Sequence, residues 1–444
     1  MRNSAISIDG TLEIEQKRQF SMESAARAWI VCLAASLFFF YEFIQMNMFN
    51  ALSIHLMQAF HINATNLGQI SAYYFIANVI FLFPAGMLLD RYSTRKIILT
   101  SLGICIVGTA LFAFTTTVFW ASLFRFMTGI GSAFCFLSVI RLATRWFPSA
   151  RLALITGVIV TIAMAGGMIA QTPLTLLVQV VNWRTALFID ALFGVVILFI
   201  IFVAVQDYPS DHQERYVRER QQVRLMGYWK SMGLAFLRLQ NWLGGTYACL
   251  MNLSLSLLGG IWGILYLVNV REVSKLEASY IISMLFLGMI LGSPLVGLIS
   301  DSIGLRRLPM LIGAIVSLGL ILIMIWVPHL SFATLMLLFL FIGLTISAQI
   351  ISYPTVAENS VPAITAMSVS VVNITTMSGQ AIFQPIFGQL MDLHARYFHQ
   401  PLGHYTAADF SWAVLILPIG IVFAFIAACF MRETYCQPRS SSHS

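Results

Sequence analysis

The sequence predicts an all-α membrane protein built from two six-helix halves, and three observations support this prediction. The chain of 444 residues is 59% hydrophobic and 10% charged, whereas a soluble domain carries about 25% charged residues. Twelve stretches consist mostly of apolar residues, and each reaches about the 20 residues that an α-helix needs to cross a bilayer. One polar motif also occurs twice, about half the chain apart. Lipid rather than water is therefore expected to surround most of the chain.

The first predicted half covers residues 28–206. Acidic residues such as Asp9 and Glu23 precede it, and they do not fit a signal peptide, so residues 1–27 are expected to be a cytosolic tail. Helices 1 to 6 are expected at 28–50, 67–89, 97–114, 119–145, 152–180 and 183–206.

The second predicted half covers residues 241–431. Residues 207–240, which are rich in both acidic and basic side chains, are expected to be a charged cytoplasmic linker between the halves, and residues 432–444 a cytosolic tail. Helices 7 to 12 are expected at 241–267, 276–300, 308–327, 331–353, 363–391 and 410–431.

The basic residues indicate the orientation of these helices. Most of the 25 Lys and Arg residues fall in the tails, the linker and the loops on the same side as the termini, and cytoplasmic loops retain such residues. Both termini are therefore predicted to be cytoplasmic, with the chain in the cytoplasmic (inner) membrane. Because the basic residues are spread in small groups, they do not indicate nucleic acid as a partner.

The six cysteines lie far apart in the sequence, a pattern that predicts neither a disulfide framework nor a metal site. No cofactor and no enzymatic site are expected.

The repeated motif has the form G-x3-D-x4-basic-basic and follows predicted helices 2 and 8. A glycine allows close helix packing, the aspartate can cap a helix or pair with arginine, and a basic pair can anchor at the anionic inner leaflet. Anchoring alone is the simpler interpretation, but the matched spacing favours a repeated functional loop. The residues are Gly86, Asp90, Arg91, Arg95 and Lys96 in the first copy and Gly297, Asp301, Arg306 and Arg307 in the second.

This loop resembles the signature of the major facilitator superfamily, which has it between helices 2 and 3 and more weakly between helices 8 and 9. The sequence Arg125-Phe-Met-Thr-Gly129-Ile-Gly131 is similar to the family's helix-4 pattern. The resemblance covers residues 28–432, and within the family the chain loosely resembles bacterial members grouped with the lysosomal dipeptide transporter branch. It implies two six-helix bundles that rock around a central cavity, with the motif residues helping to latch the cytoplasmic side in one state.

Three charged residues lie inside predicted helices of the first half. Glu42, Arg125 and Asp190 are each roughly 9–12 Å from the outer ends of their helices at 1.5 Å per residue. A charge at this depth costs about 2.5–3.5 kcal/mol on insertion scales, so each is a functional candidate. Glu42 either takes up a proton or permanently braces Arg125, for which Asp190 is an alternative partner. Gln45, close to Glu42 on helix 1, is a further candidate.

The second half has neutral candidates instead. Asn252 and Asn373 lie about ten residues into their helices, near the midplane where transporter sites are found. Amide hydrogen bonds between helices are an equally ordinary role for such residues. Tyr74 is one of several aromatic residues that could line a cavity.

The resemblance implies a secondary active transporter that moves a small organic solute by alternating access, coupled to a proton. The alternatives are a facilitative carrier of dipeptides or amino acids and a transporter-like receptor that binds solute without turnover. Helix 5 lacks the Gly-Pro pattern of drug/proton antiporters, since its Pro173 comes after Gly166 and Gly167. The expected partners are a small-molecule substrate, a proton and membrane lipid, with the chain as a monomer.

Overall fold

The computed structural model describes residues 6–147, 151–208, 233–360, 365–401, 403 and 405–437. Throughout these residues the regular backbone is helical, without a strand, and the expected all-α class is confirmed. Most of the predicted linker, 209–232, lies outside the described residues.

The first six predicted helices coincide with helical backbone, and several of them are interrupted. The first helix begins at Ile6, so helical backbone extends into the predicted tail. The observed bounds are Ile6–Asn47 and Phe49–Phe60 for helix 1, Ala64–Arg91 for helix 2, Thr94–Ala113 for helix 3, Val118–Ser132 and Cys135–Trp146 for helix 4, Leu152–Ile169 and Thr172–Val181 for helix 5, and Trp183–Ala204 for helix 6.

The second six helices also coincide with the predicted stretches. Helix 7 contains an eight-residue π-helical turn, and helix 10 contains a 3-10 turn. The bounds are Leu239–Met251, Leu255–Trp262 and Gly263–Arg271 for helix 7, Lys275–Ile303 for helix 8, Arg307–Trp326 for helix 9, Phe332–Ile346, Ser347–Ile351 and Ser352–Asn359 for helix 10, Thr365–Tyr397 for helix 11, and Ala407–Ala413 and Ile416–Phe430 for helix 12.

Nine helices among the described residues are long and apolar enough to cross a membrane, or ten when the bent helix 7 counts as one span. Helices 2 and 11 are long, with 28 and 33 residues, but do not belong to this set. Both carry buried polar side chains, among them Asn78, Gln380 and Gln384. The lower hydrophobicity of these two helices is explained by the packing of their polar side chains against protein rather than lipid. Twelve membrane crossings stay a prediction.

The two halves meet most closely on the side of the molecule opposite the chain termini, which we call the closed side. Helix 2 packs along helix 11 there, and a Cβ atom at Gly68 would lie only 2.7 Å from Pro385 Cα. On the side of the termini, a Cβ atom at Gly157 of helix 5 or Gly297 of helix 8 would meet no heavy atom of the described residues within 4 Å. The glycine at 68 is needed for the close approach of helices 2 and 11.

A carboxylate joins the halves at the edge of the closed side. Asp392 of helix 11 accepts hydrogen bonds from the Thr65 backbone N–H at 3.0 Å and from the Thr65 hydroxyl at 2.5 Å. The Tyr405 hydroxyl donates to Asp392 at 2.5 Å and accepts from the Ala64 N–H at 2.7 Å. Residues of the second half thus satisfy two of the backbone donors that the start of helix 2 leaves without helical partners.

Candidate functional site

Arg125 of helix 4 is fully buried in the first half. Its guanidinium carbon lies 4.5 Å from the centre of the Phe49 ring and 4.6 Å from that of Tyr74. Gly129, one turn along helix 4, lies so close to the Tyr74 backbone that a Cβ atom would collide with it. The glycine therefore allows helix 2 to approach helix 4 and brings the Tyr74 ring to Arg125. Both rings hold the guanidinium by cation–π attraction.

One nitrogen of the Arg125 guanidinium donates a hydrogen bond, whereas the other two have none among the described residues. Nη1 donates to the backbone carbonyl of Gln45 at 2.9 Å, next to the interruption of helix 1 at Met48. Nε and Nη2 are buried and have no hydrogen-bond partner among the described residues. These two nitrogens share one edge of the planar group, the edge that binds a carboxylate or phosphate through two parallel hydrogen bonds.

Glu42 lies one turn before Gln45 on helix 1 and is 4% exposed. Its Oε1 accepts a hydrogen bond from the Tyr74 hydroxyl at 2.7 Å. Its Oε2 is buried and, within the described part of the chain, accepts no hydrogen bond. The Tyr74 side chain thus contacts both Glu42, through its hydroxyl, and Arg125, through its ring.

Asp190 of helix 6 belongs to the same cluster through Gln45. The Gln45 amide Nε2 donates to Asp190 Oδ2 at 2.5 Å, and Gln45 Oε1 accepts from the Thr109 hydroxyl at 2.8 Å. Because the backbone carbonyl of Gln45 also accepts from Arg125, this residue contacts both charged groups. Asp190 and Arg125 are therefore linked through a single residue, by the side chain of Gln45 on one side and its backbone carbonyl on the other.

The structure brings together Glu42, Gln45, Arg125 and Asp190, which the sequence singles out as candidates. It does not form the direct ion pair considered for Arg125, since among the described residues no carboxylate oxygen lies within 4.0 Å of its guanidinium nitrogens. Tyr74 and Gln45 stand between the charges instead. Sequence reasoning missed Phe49 and Thr109, because aromatic and hydroxyl side chains are common in membrane helices.

The candidates of the second half lie apart from this cluster. Asn252 Oδ1 accepts from Gln349 Nε2 at 3.1 Å, a bond within the second half. Asn373 is half-buried on helix 11. A role of either residue in solute binding stays a prediction.

The first copy of the repeated motif is held within its own half. The Arg95 backbone N–H donates to Asp207 Oδ1 at 2.9 Å, and the Ser93 hydroxyl donates to the same carboxylate. The Arg95 side chain donates to the Phe202 carbonyl at 2.5 Å, and Arg145 lies 3.8 Å from Asp207. Asp207 thus caps the start of helix 3. The side chain of the motif residue Asp90 lies outside the described residues.

The second copy is held in the same way. Arg306 pairs with Asp301 at 2.6 Å and with Glu358 at 2.7 Å. Glu433, after helix 12, accepts from the backbone N–H groups of Arg306 at 2.8 Å and Arg307 at 2.9 Å. Burial raises the pKa of Glu433, but these and two further backbone donors outweigh it and leave the pKa below its ordinary value. In this conformation the contacts described for each copy are made with its own half or with the segment that directly follows that half, so they brace each bundle internally.

Comparison with known proteins identifies the family of this chain. The model of the Major Facilitator Superfamily matches residues 33–384 and, in a second match, residues 245–443. The two matches together cover nearly all of the two predicted halves.

Three curated relatives are bacterial. An uncharacterized transporter of Bacillus subtilis, YybO, is 27% identical over 158 residues, 36% of each chain. A probable sulfoacetate transporter of Cupriavidus necator, SauU, is 26% identical over 140 residues, 31% of this chain and 32% of the relative. The chain thus matches about a third of the length of these two. A probable hexose phosphate transport protein of Chlamydia muridarum is 23% identical over 326 residues, 68% of this chain and 71% of the relative.

Solved structures share the fold over almost the whole chain. A bacterial homologue of the human lysosomal transporter Spinster, in an inward-facing and unoccupied conformation, matches with a TM-score of 0.71 at 17% identity, over 94% of this chain and 99% of that one. The nucleoside transporter NupG matches with a TM-score of 0.70 at 13% identity, over 90% and 100%. At these identities the likeness extends to the fold alone.

Proposed function

This chain belongs to the Major Facilitator Superfamily, and we propose that it is a secondary active transporter that moves a small organic anion together with a proton. Membership of the family makes it a multi-pass membrane transporter of small solutes. The observation that carries the proposal is a pair of groups in one buried cluster that have no hydrogen-bond partner among the described residues, the Nε–Nη2 edge of Arg125 and the Oε2 atom of Glu42.

An oxyanion is the ligand that best fits Arg125. A buried cation without a counter-ion is costly, and an ion pair with two parallel hydrogen bonds offsets that cost. The Nε–Nη2 edge of Arg125 presents this geometry, while Phe49, Tyr74 and the Gln45 carbonyl fix the rest of the group. A carboxylate, sulfonate or phosphate fits such a fork.

Glu42 supplies the coupling to a proton. It shares the Tyr74 side chain with Arg125, so an anion at Arg125 brings a second negative charge near the Glu42 carboxylate in a buried environment. Like charges at short range repel strongly there, and a proton on Glu42 removes the repulsion. By linkage the anion promotes proton uptake and the proton promotes anion binding, which is the requirement for symport.

The proposal includes an orientation. With both termini cytoplasmic, as the distribution of Lys and Arg favours, the closed side faces outward and this conformation faces the cytoplasm. A rocking motion that parts helices 2 and 11 then exposes Arg125 to the other side.

Two of the relatives carry names of anionic solutes, sulfoacetate and hexose phosphate, which supports an anionic class for this chain. We propose that the chain works as a monomer in the cytoplasmic membrane.

A thermal-shift screen of metabolites on the purified protein tests the substrate class. Organic anions are expected to stabilise the protein, whereas neutral solutes of similar size are not. Arg125→Lys keeps the charge but loses the planar fork, and we expect it to weaken anion binding by roughly tenfold or more. Arg151→Lys, at an exposed position, is the matched control. Equal stabilisation by neutral solutes, or unchanged binding to Arg125→Lys, contradicts the proposal.

Flux measurements separate this proposal from its two alternatives. A facilitative carrier of dipeptides or amino acids uses the Glu42–Tyr74 hydrogen bond as a permanent brace, and in sealed liposomes it equilibrates its solute without responding to a pH gradient. A solute receptor binds its ligand but gives no flux. The symporter accumulates its solute when the gradient is imposed.

A further inference from the structure

A cluster of carboxamides joins the halves beside the break in helix 7. Asn50 of helix 1 and Gln171 of helix 5 are both fully buried. The Asn50 amide Nδ2 donates to the Leu258 carbonyl at 2.8 Å and to Gln171 Oε1 at 2.9 Å. Gln171 Nε2 donates to the Gly259 carbonyl at 2.9 Å. Two side chains of the first half therefore satisfy backbone acceptors of the second.

Asn50 also accepts a hydrogen bond from the other end of the break. Its Oδ1 accepts from the Ile264 backbone N–H at 2.9 Å, while its Nδ2 lies within 3.2 Å of the Gly259 carbonyl. Gly259 and Ile264 are five residues apart, the spacing of a π-helical hydrogen bond. The side-chain amide thus lies between a backbone donor and acceptor that would otherwise pair with each other or need another partner.

Parting of the halves on the closed side leaves these backbone groups without their partners. A carbonyl or N–H group that loses its hydrogen bond in a buried setting must find water or another polar group. Helix 7 lies at the contact between the halves, where the proposed transport brings the solute, so the solute itself is then available to supply that group.

We propose that the Leu258 and Gly259 carbonyls and the Ile264 N–H form an amide-binding subsite, which Asn50 fills in this conformation and a carboxamide of the solute fills when the closed side opens. The pattern of two acceptors and one donor matches the two N–H groups and the C=O group of a primary carboxamide, the group that Asn50 itself supplies. This inference rests on the proposed function, since it adds a second recognised group to the transported anion. The transported class is then an organic anion that also carries a primary carboxamide, as the monoamide of a dicarboxylic acid does, because the trans amide of a peptide bond has a single N–H that points away from its C=O.

Chemical rescue of Asn50→Ala tests the subsite. The variant removes the side-chain amide and leaves room for acetamide, a neutral probe with the same functional group. In lipid nanodiscs, hydrogen exchange of the segment 255–264 is expected to rise by about tenfold or more in the variant, because the Ile264 N–H loses its acceptor and the Leu258 and Gly259 carbonyls lose a donor that stabilises the turn. Acetamide is expected to restore protection, whereas acetone, which has the same shape but cannot donate, is not.

A matched variant and a second position make the result specific. Asn78→Ala removes a buried carboxamide that bonds to Ser132 within the first half, and exchange of 255–264 is expected to stay at the wild-type value. Gln171→Ala provides the second route if Asn50→Ala fails to fold, with acetamide again restoring protection. Equal protection by acetone and acetamide, or no protection by either, overturns the subsite. Because the probe is neutral and the readout involves neither Arg125 nor a proton, the result is independent of the proposed anion coupling.

Discussion

Replacing Gly68 by alanine tests whether the closed side is one of two alternating states. An alanine Cβ atom would lie 2.7 Å from Pro385 Cα and 2.8 Å from the Gln384 carbonyl oxygen. Both are backbone atoms of helix 11, so no side-chain rotation relieves the clash. The variant therefore destabilises the closed contact between helices 2 and 11, and only parting of the halves restores normal packing distances.

The size of the effect follows from this overlap. An extra methyl group forced into a packed interface costs typically about 1–3 kcal/mol, and here the cost applies to the closed conformation alone. A difference of about 1–3 kcal/mol changes the ratio of two states by about 5- to 150-fold. Alanine also favours a helix over glycine by roughly 0.5–1 kcal/mol, but that gain applies to both conformations and does not shift the ratio.

Labelling of a buried cysteine measures the change in the ratio of closed to open conformations. Ser279 of helix 8 is fully buried at the closed side, where its hydroxyl lies 3.3 Å from that of Thr172 in the other half. In a background in which the six native cysteines are replaced, Ser279→Cys reports opening through its reaction rate with a membrane-impermeant maleimide. Gly68→Ala is expected to raise this rate. Gly157→Ala, whose Cβ atom meets no atom of the described residues within 4 Å, is expected to leave it unchanged.

Equal labelling rates in the two alanine variants would refute this reasoning. They would mean that the contact at Gly68 is not the one that opens, or that the interface relaxes around the added methyl group without parting.

Two further predictions concern carboxylates near the ends of the helices. Asp392→Asn weakens the charge-assisted bonds from Thr65 and Tyr405, worth about 1.5–3 kcal/mol each, so closed-side labelling is expected to rise. Asp409→Asn, which affects the bonds to His394 and Thr406 of the second half, serves as its control, and equal labelling rates in the two variants contradict the prediction. Glu433→Gln is expected to lower thermal stability at neutral pH by on the order of 1 kcal/mol, since the carboxylate caps helix 9. Because the pKa of Glu433 is below its ordinary value, this stabilisation is present above the unfolded pKa of about 4.3 and is lost as pH falls through the folded pKa. A difference in thermal stability between variant and wild type that stays constant with pH contradicts the prediction.

The helices and the depth of the buried charges could be predicted from the sequence, because both depend on position along a helix. Apolar length defines each segment, and the rise per residue places Glu42, Arg125 and Asp190 at one level. The contacts among these residues depend instead on how each helix is rotated and how closely its neighbours approach. Gly129 sets one such approach through its contact with Tyr74, and its effect was not visible in the spacing alone.

The break in helix 7 shows the same limit. Gly259 and Gly260 hint at an irregular segment, but a π-helical turn over Leu255–Trp262 depends on partners from the other half of the chain. Asn50 and Gln171 were not singled out in the sequence for this reason. A carboxamide within an apolar stretch marks a buried hydrogen bond, and only the packing of the halves reveals its partner.

Uptake by Glu42→Gln in proteoliposomes tests the central claim most directly, with the anion that the thermal-shift screen identifies. Wild-type protein is expected to accumulate the anion under an imposed pH gradient and to exchange it across the membrane without one. The variant, whose amide cannot take up a proton, is expected to keep the exchange, which shows that it folds, and to lose the response to the gradient. Full dependence of uptake on the pH gradient in Glu42→Gln would contradict proton coupling at this residue.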